Sequence, residues 1–204
     1  MPSRLCFLLP LLLLSGCNIV APAQPDSARF FVLAAPKPPS DGTAGAGKLH
    51  LGLKSVKVAD YLKQPMITVR SHANEVDFVD NARWAEPLEA GIGRILLASL
   101  STAPAVASVI SAPFPFDSER DYDVSVSILQ CEGSTGGSRP AAHFEASVVI
   151  STAGPDPKVV VHHLFVAPPG DWDGSNYGRL AGLLSDDVAA LGKDIAAALP
   201  PPAP

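Results

Sequence analysis

Two alternating stretches in the second half of the chain constrain its fold more than any other feature. Tyr122, Val124, Val126 and Ile128 alternate with Asp123, Ser125 and Ser127, and Phe144, Ala146, Val148 and Ile150 alternate with Glu145, Ser147 and Ser151. A period of two puts the apolar residues on one face, so both stretches predict long strands with one buried side. The glycine-rich run 133–137 predicts a hairpin-like loop between them. Gly154, Pro155, Asp156 and Pro157 then turn the chain into a further strand over 158–166, which Pro168, Pro169 and Gly170 end. A meander of this kind needs cover on its apolar face.

Two stretches of helical periodicity can supply it. Leu88, Ile92, Ile95, Leu96 and Leu100 recur at steps of three and four residues, which predicts an amphipathic helix. Pro87 suits its first turn, and Glu86 and Glu89 bring negative charge to the positive end of its dipole. Pro104 stops it. Trp84, just ahead of the helix, is placed to staple it to a sheet. The second helix is predicted over 175–199, with the stripe Tyr177, Leu180, Leu184, Val188, Leu191, Ile195 and Leu199.

The first half supplies more strands. Residues 28–33, with Phe30, Phe31 and Val32, have β-favouring bulk. Leu49, Leu51 and Leu53 alternate with polar or small residues, and Val56 and Val58 shift that register by one, which predicts a bulge near Ser55. A turn over 59–62 leads to two short strands, 66–70 and 76–79, and 106–110 returns as a strand after the first helix. Strand, helix, strand in that order predicts one parallel, right-handed crossover. The expected fold is therefore α/β: a single domain with a mixed β-sheet and two main helices on one face. The long meander makes α+β the alternative.

Residues 1–16 read as an address. Arg4 provides a short positive region, and Leu5 to Leu14 an apolar run too short to span a bilayer as a mature helix. Leu14, Ser15, Gly16 and Cys17 match the bacterial lipobox, in which the cysteine thiol receives a diacylglycerol and becomes the new N-terminus. Asn18 leans towards the outer membrane, by analogy with enteric bacteria, where an aspartate there favours retention. The chain thus divides into a signal peptide (1–16), a lipidated tether (17–27), a folded domain (28–199) and a proline-rich tail (200–204). With Cys6 removed and Cys17 acylated, Cys131 has no partner for a disulfide and reads as a small buried apolar group. Removing Arg4 from 15 basic residues leaves 14 against 20 acidic ones, a net charge of −6. That balance argues against nucleic acid or an anionic lipid surface as an electrostatic partner.

Chemistry-bearing constellations are thin. Gly42 to Lys48 has phosphate-loop spacing, but Leu49 stands where a metal-ligating Ser or Thr belongs, and a strand follows where a helix must open. His162 and His163 are adjacent on a predicted strand and face opposite ways. Asp186 and Asp187 are expected on the wet face of the last helix. The motifs of nucleophile elbows, paired-cysteine metal sites and zinc proteases do not occur. The reading is of a non-catalytic protein with no metal and no cofactor, acting through its surface. Trp172, in the loop 168–176, is read as exposed and as the candidate partner contact. Arg70, Arg83 and Glu86 read as ion pairs or caps at the sheet–helix junction.

Tyr61-Leu62, Pro65 and Arg70, followed by Arg83-Trp84-Ala85-Glu86-Pro87-Leu88 and standing behind the lipobox, resemble the signature of the ABC-type transport auxiliary lipoproteins. These are the PqiC-type lipoproteins found with MCE-domain lipid transport systems. The resemblance covers most of the mature chain in spaced patches, and its residues read as mostly structural. It implies an outer-membrane lipoprotein on the periplasmic face, whose partners are an MCE-domain protein and its ABC permease and ATPase. It also implies a role in membrane integrity and a homo-oligomeric ring matching the MCE ring. An independent envelope-structure or outer-membrane assembly lipoprotein is the second reading, and gene neighbourhood separates the two.

Overall fold

The alternating stretches form the spine of the sheet in the computed structural model, which describes residues 27–35 and 47–201. The leader, Cys17, the tether to residue 26, most of the 36–47 loop with its phosphate-loop-like glycines, and the last three residues lie outside the described residues. Strands β6 (Tyr122–Ser134) and β7 (Ala141–Thr152) pair antiparallel from Tyr122 opposite Thr152 to Ser134 opposite Ala141. The predicted apolar residues of both are buried. Register slips between Ile128 and Gln130, which moves the buried side of β6 from even to odd numbers. Cys131 is buried beyond the slip, and Gly133 lies in the strand rather than in the hairpin loop. Its missing Cβ makes room for the Trp172 ring, which would stand only 2.5 Å from a methyl group at that position.

One edge of β6 is given wholly to β7; the other is divided. Strand β2 (Leu49–Val58) runs parallel along it from Leu51 opposite Tyr122 to Val58 opposite Ile128. The chain then leaves the edge as a 3₁₀ turn (Asp60–Lys63) and returns as β3 (Met66–His72), which pairs parallel at Val69 opposite Gly133. The bulge expected near Ser55 is present, between Leu53 and Ser55. From β2 the sheet continues to β5 (Val106–Ser111). From β3 it continues to β4 (Glu75–Trp84) and then to the short β1 (Arg29–Phe31). On the far side of β7 lie β8 (Val159–Val166) and the two-residue β9 (Gly170–Asp171). Among the described residues this is one mixed nine-stranded sheet.

Two expectations fail here. The strand predicted over 76–79 runs on to Trp84, because β4 regains its pairing with β3 at Arg83 opposite Met66 after an irregular stretch. The parallel crossover through the first helix does not form. Strands β4 and β5, which flank that helix, run antiparallel and sit in different wings of the sheet. Periodicity identifies a strand but not the edge it joins.

Helix α1 (Leu88–Ser101) buries Leu88, Ile92, Ile95, Leu96 and Leu100, the predicted stripe. Pro87 stands just before it, at the cap position rather than inside the first turn. Helix α2 (Tyr177–Ala198) begins at Asn176, whose side chain accepts a hydrogen bond from Arg179 N–H at 3.0 Å. The two helices pack together, with Gly192 against Ser99, and cover one face of the sheet around a single apolar cluster. No helix among the described residues is long and apolar enough to cross a membrane.

Asp187 departs from its expected place on the wet face. It is half-buried on α2, and its Oδ2 is sealed from solvent without a hydrogen-bond partner. Burial first, and the charge of Asp186 second, push its carboxyl up to about 6. The folded state therefore holds this proton more tightly than the unfolded chain does. Its ionisation penalty is present above about pH 6 and disappears as pH falls towards the ordinary carboxyl range. Screening by solvent at this half-exposed site leaves a penalty on the order of 1 kcal/mol. Asp187→Asn is expected to stabilise the protein by roughly that amount at pH 8 and by almost nothing at pH 4, read from denaturant melts at the two pH values.

Candidate functional site

The two patches that carry the resemblance, 61–70 and 83–88, are joined by the β3–β4 hairpin and meet in space. The 3₁₀ turn buries Leu62 and presents Pro65, whose carbonyl accepts a hydrogen bond from Trp84 N–H at 2.7 Å. Ala85 N–H then bonds to Phe31 O at 2.8 Å, so three segments are fastened where β4 gives way to α1. Trp84 is 8% exposed and closes the end of the apolar cluster beneath this junction. Lys63, Gln64 and Pro65 form one wall of a cleft of about 240 Å³, and Trp84 to Leu88 form the other.

Both charges in that cleft are engaged locally. Lys63 pairs with Asp60 at 2.6 Å across one turn. Glu86 pairs with Arg94, one face along α1, and the same guanidinium donates to Leu33 O at 2.9 Å. Glu86 thus acts as the junction ion pair read from the sequence, with Arg94 as a partner that the sequence does not single out. Arg83 donates from Nε to Asp80 O at 3.2 Å and faces Phe30 and Met66 across its two strand pairings.

Arg70 is part of a more buried group. Its Nε donates to Glu132 Oε1 at 2.5 Å, and Glu132 is 2% exposed. The guanidinium lies 5.8 Å from the Tyr61 ring centre and also donates to Ala73 O. Tyr61 O–H donates to Leu129 O at 3.1 Å. Burial, reinforced by the Glu132 carboxylate, pushes the Tyr61 phenol far up, so it stays protonated. Hydrogen bonding to Glu132 raises the Arg70 guanidinium in turn. Glu132 Oε2 is buried without a partner. Glu132 escapes a reading by alternation because the slip at Ile128 changes the phase just before it. A second pair of this kind, Arg120 Nε to Asp123 Oδ1 at 2.9 Å, is capped by the Phe114 ring 3.8 Å from the guanidinium.

Trp172 is not the exposed contact expected of it. It is 2% exposed, its ring fills the space above Gly133, and its indole N–H donates to Asn176 O at 3.0 Å. Asp173 folds the loop by accepting from Ser175 and Asn176 N–H, which holds its carboxyl below the usual range. The loop's polar composition suggests exposure, but a large indole beside a strand glycine is a packing pair. His162 and His163 do face opposite ways: His162 approaches Ser147, and His163 Nε2 meets Asp194 Oδ2 at 2.5 Å. Burial and neighbouring carboxylates push the Cys131 thiol up, so it is a protonated core group. Among the described residues no three His, Cys, Asp or Glu side chains are grouped to hold a metal ion. What the site offers is a fastened sheet–helix junction beside a shallow cleft.

Two substitutions test that description. Arg70→Met leaves the Glu132 carboxylate buried and unpaired, so a loss of about 3–5 kcal/mol is expected; adding Glu132→Met should recover most of it. Denaturant melts with a loss below about 1 kcal/mol for the single variant would mark the pair as a surface contact. Trp84→Ala is expected to cost about 3–5 kcal/mol in the same melts, the range for removing a buried aromatic.

The chain is similar to solved structures over most of its length. It matches a crystal structure of protein XCC0632 from Xanthomonas campestris with TM-score 0.69 at 17% identity, covering 83% of this chain and 93% of that one. A crystal structure of a protein described only as uncharacterized matches with TM-score 0.64 at 18% identity, covering 82% and 95%. These likenesses concern the fold. No curated protein sequence matches significantly. The family described as "ABC-type transport auxiliary lipoprotein component" matches over residues 31–196, which includes every strand and helix above except the first residues of β1 and the last of α2. The chain belongs to the family of ABC-type transport auxiliary lipoprotein components.

Proposed function

We propose that this protein is a non-catalytic auxiliary lipoprotein of an envelope lipid transporter of the ABC/MCE type. Acylated Cys17 anchors it to the periplasmic face of the outer membrane, where it docks the periplasmic MCE component and supports membrane integrity. The observation that carries the reading is family membership over residues 31–196 in a chain that also bears a Leu14-Ser15-Gly16-Cys17 lipobox. The junction supports it as well. Its ionic groups are paired with one another, so a partner is met through surface shape and strand edges rather than through a reactive cluster. ATP hydrolysis in this reading belongs to the transporter's ATPase, and the lipid path to its MCE ring.

The test has two arms. Metabolic labelling with a fatty acid should tag the wild-type chain and not Cys17→Ser. Cross-linking in intact membranes should join the wild-type chain to an MCE-domain protein, and a deletion strain should become sensitive to detergent. Labelling without cross-linking, and with unchanged detergent resistance, would replace the transport reading with that of an envelope-structure lipoprotein.

A further inference from the structure

The chain between β5 and β6 joins strands that are not neighbours. Ser111 ends β5 opposite Leu53, and Tyr122 opens β6 opposite Leu51 on the other side of β2, so residues 112–121 must cross β2. Leu51 and Leu53 point into the core, which turns Gly52 to the face without helices. That glycine is the crossing point: a methyl group on it would stand 2.7 Å from the Phe114 ring and 2.8 Å from Arg120 Cδ. Arg120 is fixed there, paired with buried Asp123 at 2.9 Å and stacked 3.8 Å from the Phe114 ring centre. It also donates to Ser118 O at 3.1 Å. Ser118 N–H in turn donates to Pro115 O at 3.2 Å, closing a turn with Phe116 and Asp117 at its centre.

Phe116 is fully exposed, more so than any other large apolar side chain among the described residues. Beside it, Pro113 and Pro115 join Leu97 and Val109 in lining a shallow groove of about 610 Å³, so the ring extends an apolar strip. The charges around it have one sign. Arg120, the loop's one cation, is engaged within the loop, and Asp121 accepts from His50 N–H at 2.7 Å. Asp117 and Glu119 remain exposed around the ring. We propose that Phe116 is an anchor that enters an apolar pocket on another protein, with Lys or Arg at the pocket rim meeting Asp117 and Glu119. An aromatic anchor inside a complementary charged rim is the build of a protein interface. A lipid surface is the wrong partner, because Lys and Arg seat an aromatic at a bilayer and an anionic leaflet repels two carboxylates. A second copy, with 20 acidic residues against 14 basic ones in the mature chain, is a poor source of a basic rim. Position agrees. The registers through β4 and β3 put Phe30 near the level of Gln130, with Ser27 beyond it. Tyr122 lies at the other end of β6, roughly 25 Å away at the rise of a strand. Taken with the proposed function, on which this step rests, the anchor faces away from the acylated end and towards the transporter's periplasmic component.

Photocross-linking of the full-length chain in intact cells tests this, with the photoreactive benzoylphenylalanine placed at Phe116 or, as a control, at exposed Phe78 of β4. Illumination should join position 116, and not position 78, to one protein, and mass spectrometry should place the label beside a Lys or Arg of that protein. Adding D117K and E119K, exposed changes that should leave the melting curve in place, should weaken the adduct at least tenfold. Reversing the partner's labelled cation to Glu should then restore it. A label found on lipid or on a second copy overturns the proposal. So does a yield from position 116 no higher than from position 78, or an adduct indifferent to the charge reversal. Fatty-acid labelling of the same cells and the identity of the captured protein judge the proposed function separately. Loss of labelling, or a charge-dependent adduct with a protein outside the transporter, fells that reading and leaves the anchor standing.

Discussion

The hydrogen-bonding capacity of one strand, β6, organises this protein. Its backbone offers two edges. β7 takes one along its full length, while β2 and β3 divide the other. Because two parallel strands share one edge end to end, the chain between them must step out of the sheet and back. The 3₁₀ turn at Asp60–Lys63 is that step, held by Ala59 N–H on Ile128 O and by Tyr61 O–H on Leu129 O. The slip in β6 falls beside this step, between Ile128 and Gln130. One local irregularity thus re-aims Cys131 and Gly133 inwards and presents Glu132 to Arg70.

The residues whose pattern prompted the resemblance in the sequence meet at this junction. Tyr61 and Leu62 belong to the step, Pro65 receives Trp84, and Arg70 neutralises Glu132. Glu86 and Pro87 set the start of α1, with Arg94 reaching back to both Glu86 and the carbonyl of Leu33. These groups are committed to one another rather than to a small molecule. Their arrangement fixes two wings of a sheet and a helix relative to one another.

Much of this is legible in the sequence, and the limits have physical causes. Alternation locates β6 and β7, and the helical stripes of Leu88–Leu100 and Leu180–Ile195 return residue by residue in the structure. Phase arithmetic finds the bulge after Leu53. Which strands neighbour one another is not legible, since pairing between β2 and β6 is made across a long stretch of chain by backbone groups that every residue carries. Trp172 and Asp187 defeat a sequence reading for one shared reason: local polarity suggests water, while tertiary packing buries Trp172 against Gly133 and seals one carboxylate oxygen of Asp187. Glu132 and Arg94 go unnoticed because each has meaning only with its partner.

The entrance to the fold has a mechanical consequence. Strand β1 joins β4 through only three parallel residue pairs, at the outermost position of its wing. Just beyond it, Leu33 O is held by Arg94 of α1, and Ala34 N–H by Ser185 Oγ of α2 at 3.0 Å. Tension arriving along the chain before Ser27 would peel a ladder this short one rung at a time. The clasp on Leu33 and Ala34 takes the load next and passes it to both helices together. A pull entering at Ser27 is thereby spread across the helical layer, and the large strands beneath are spared.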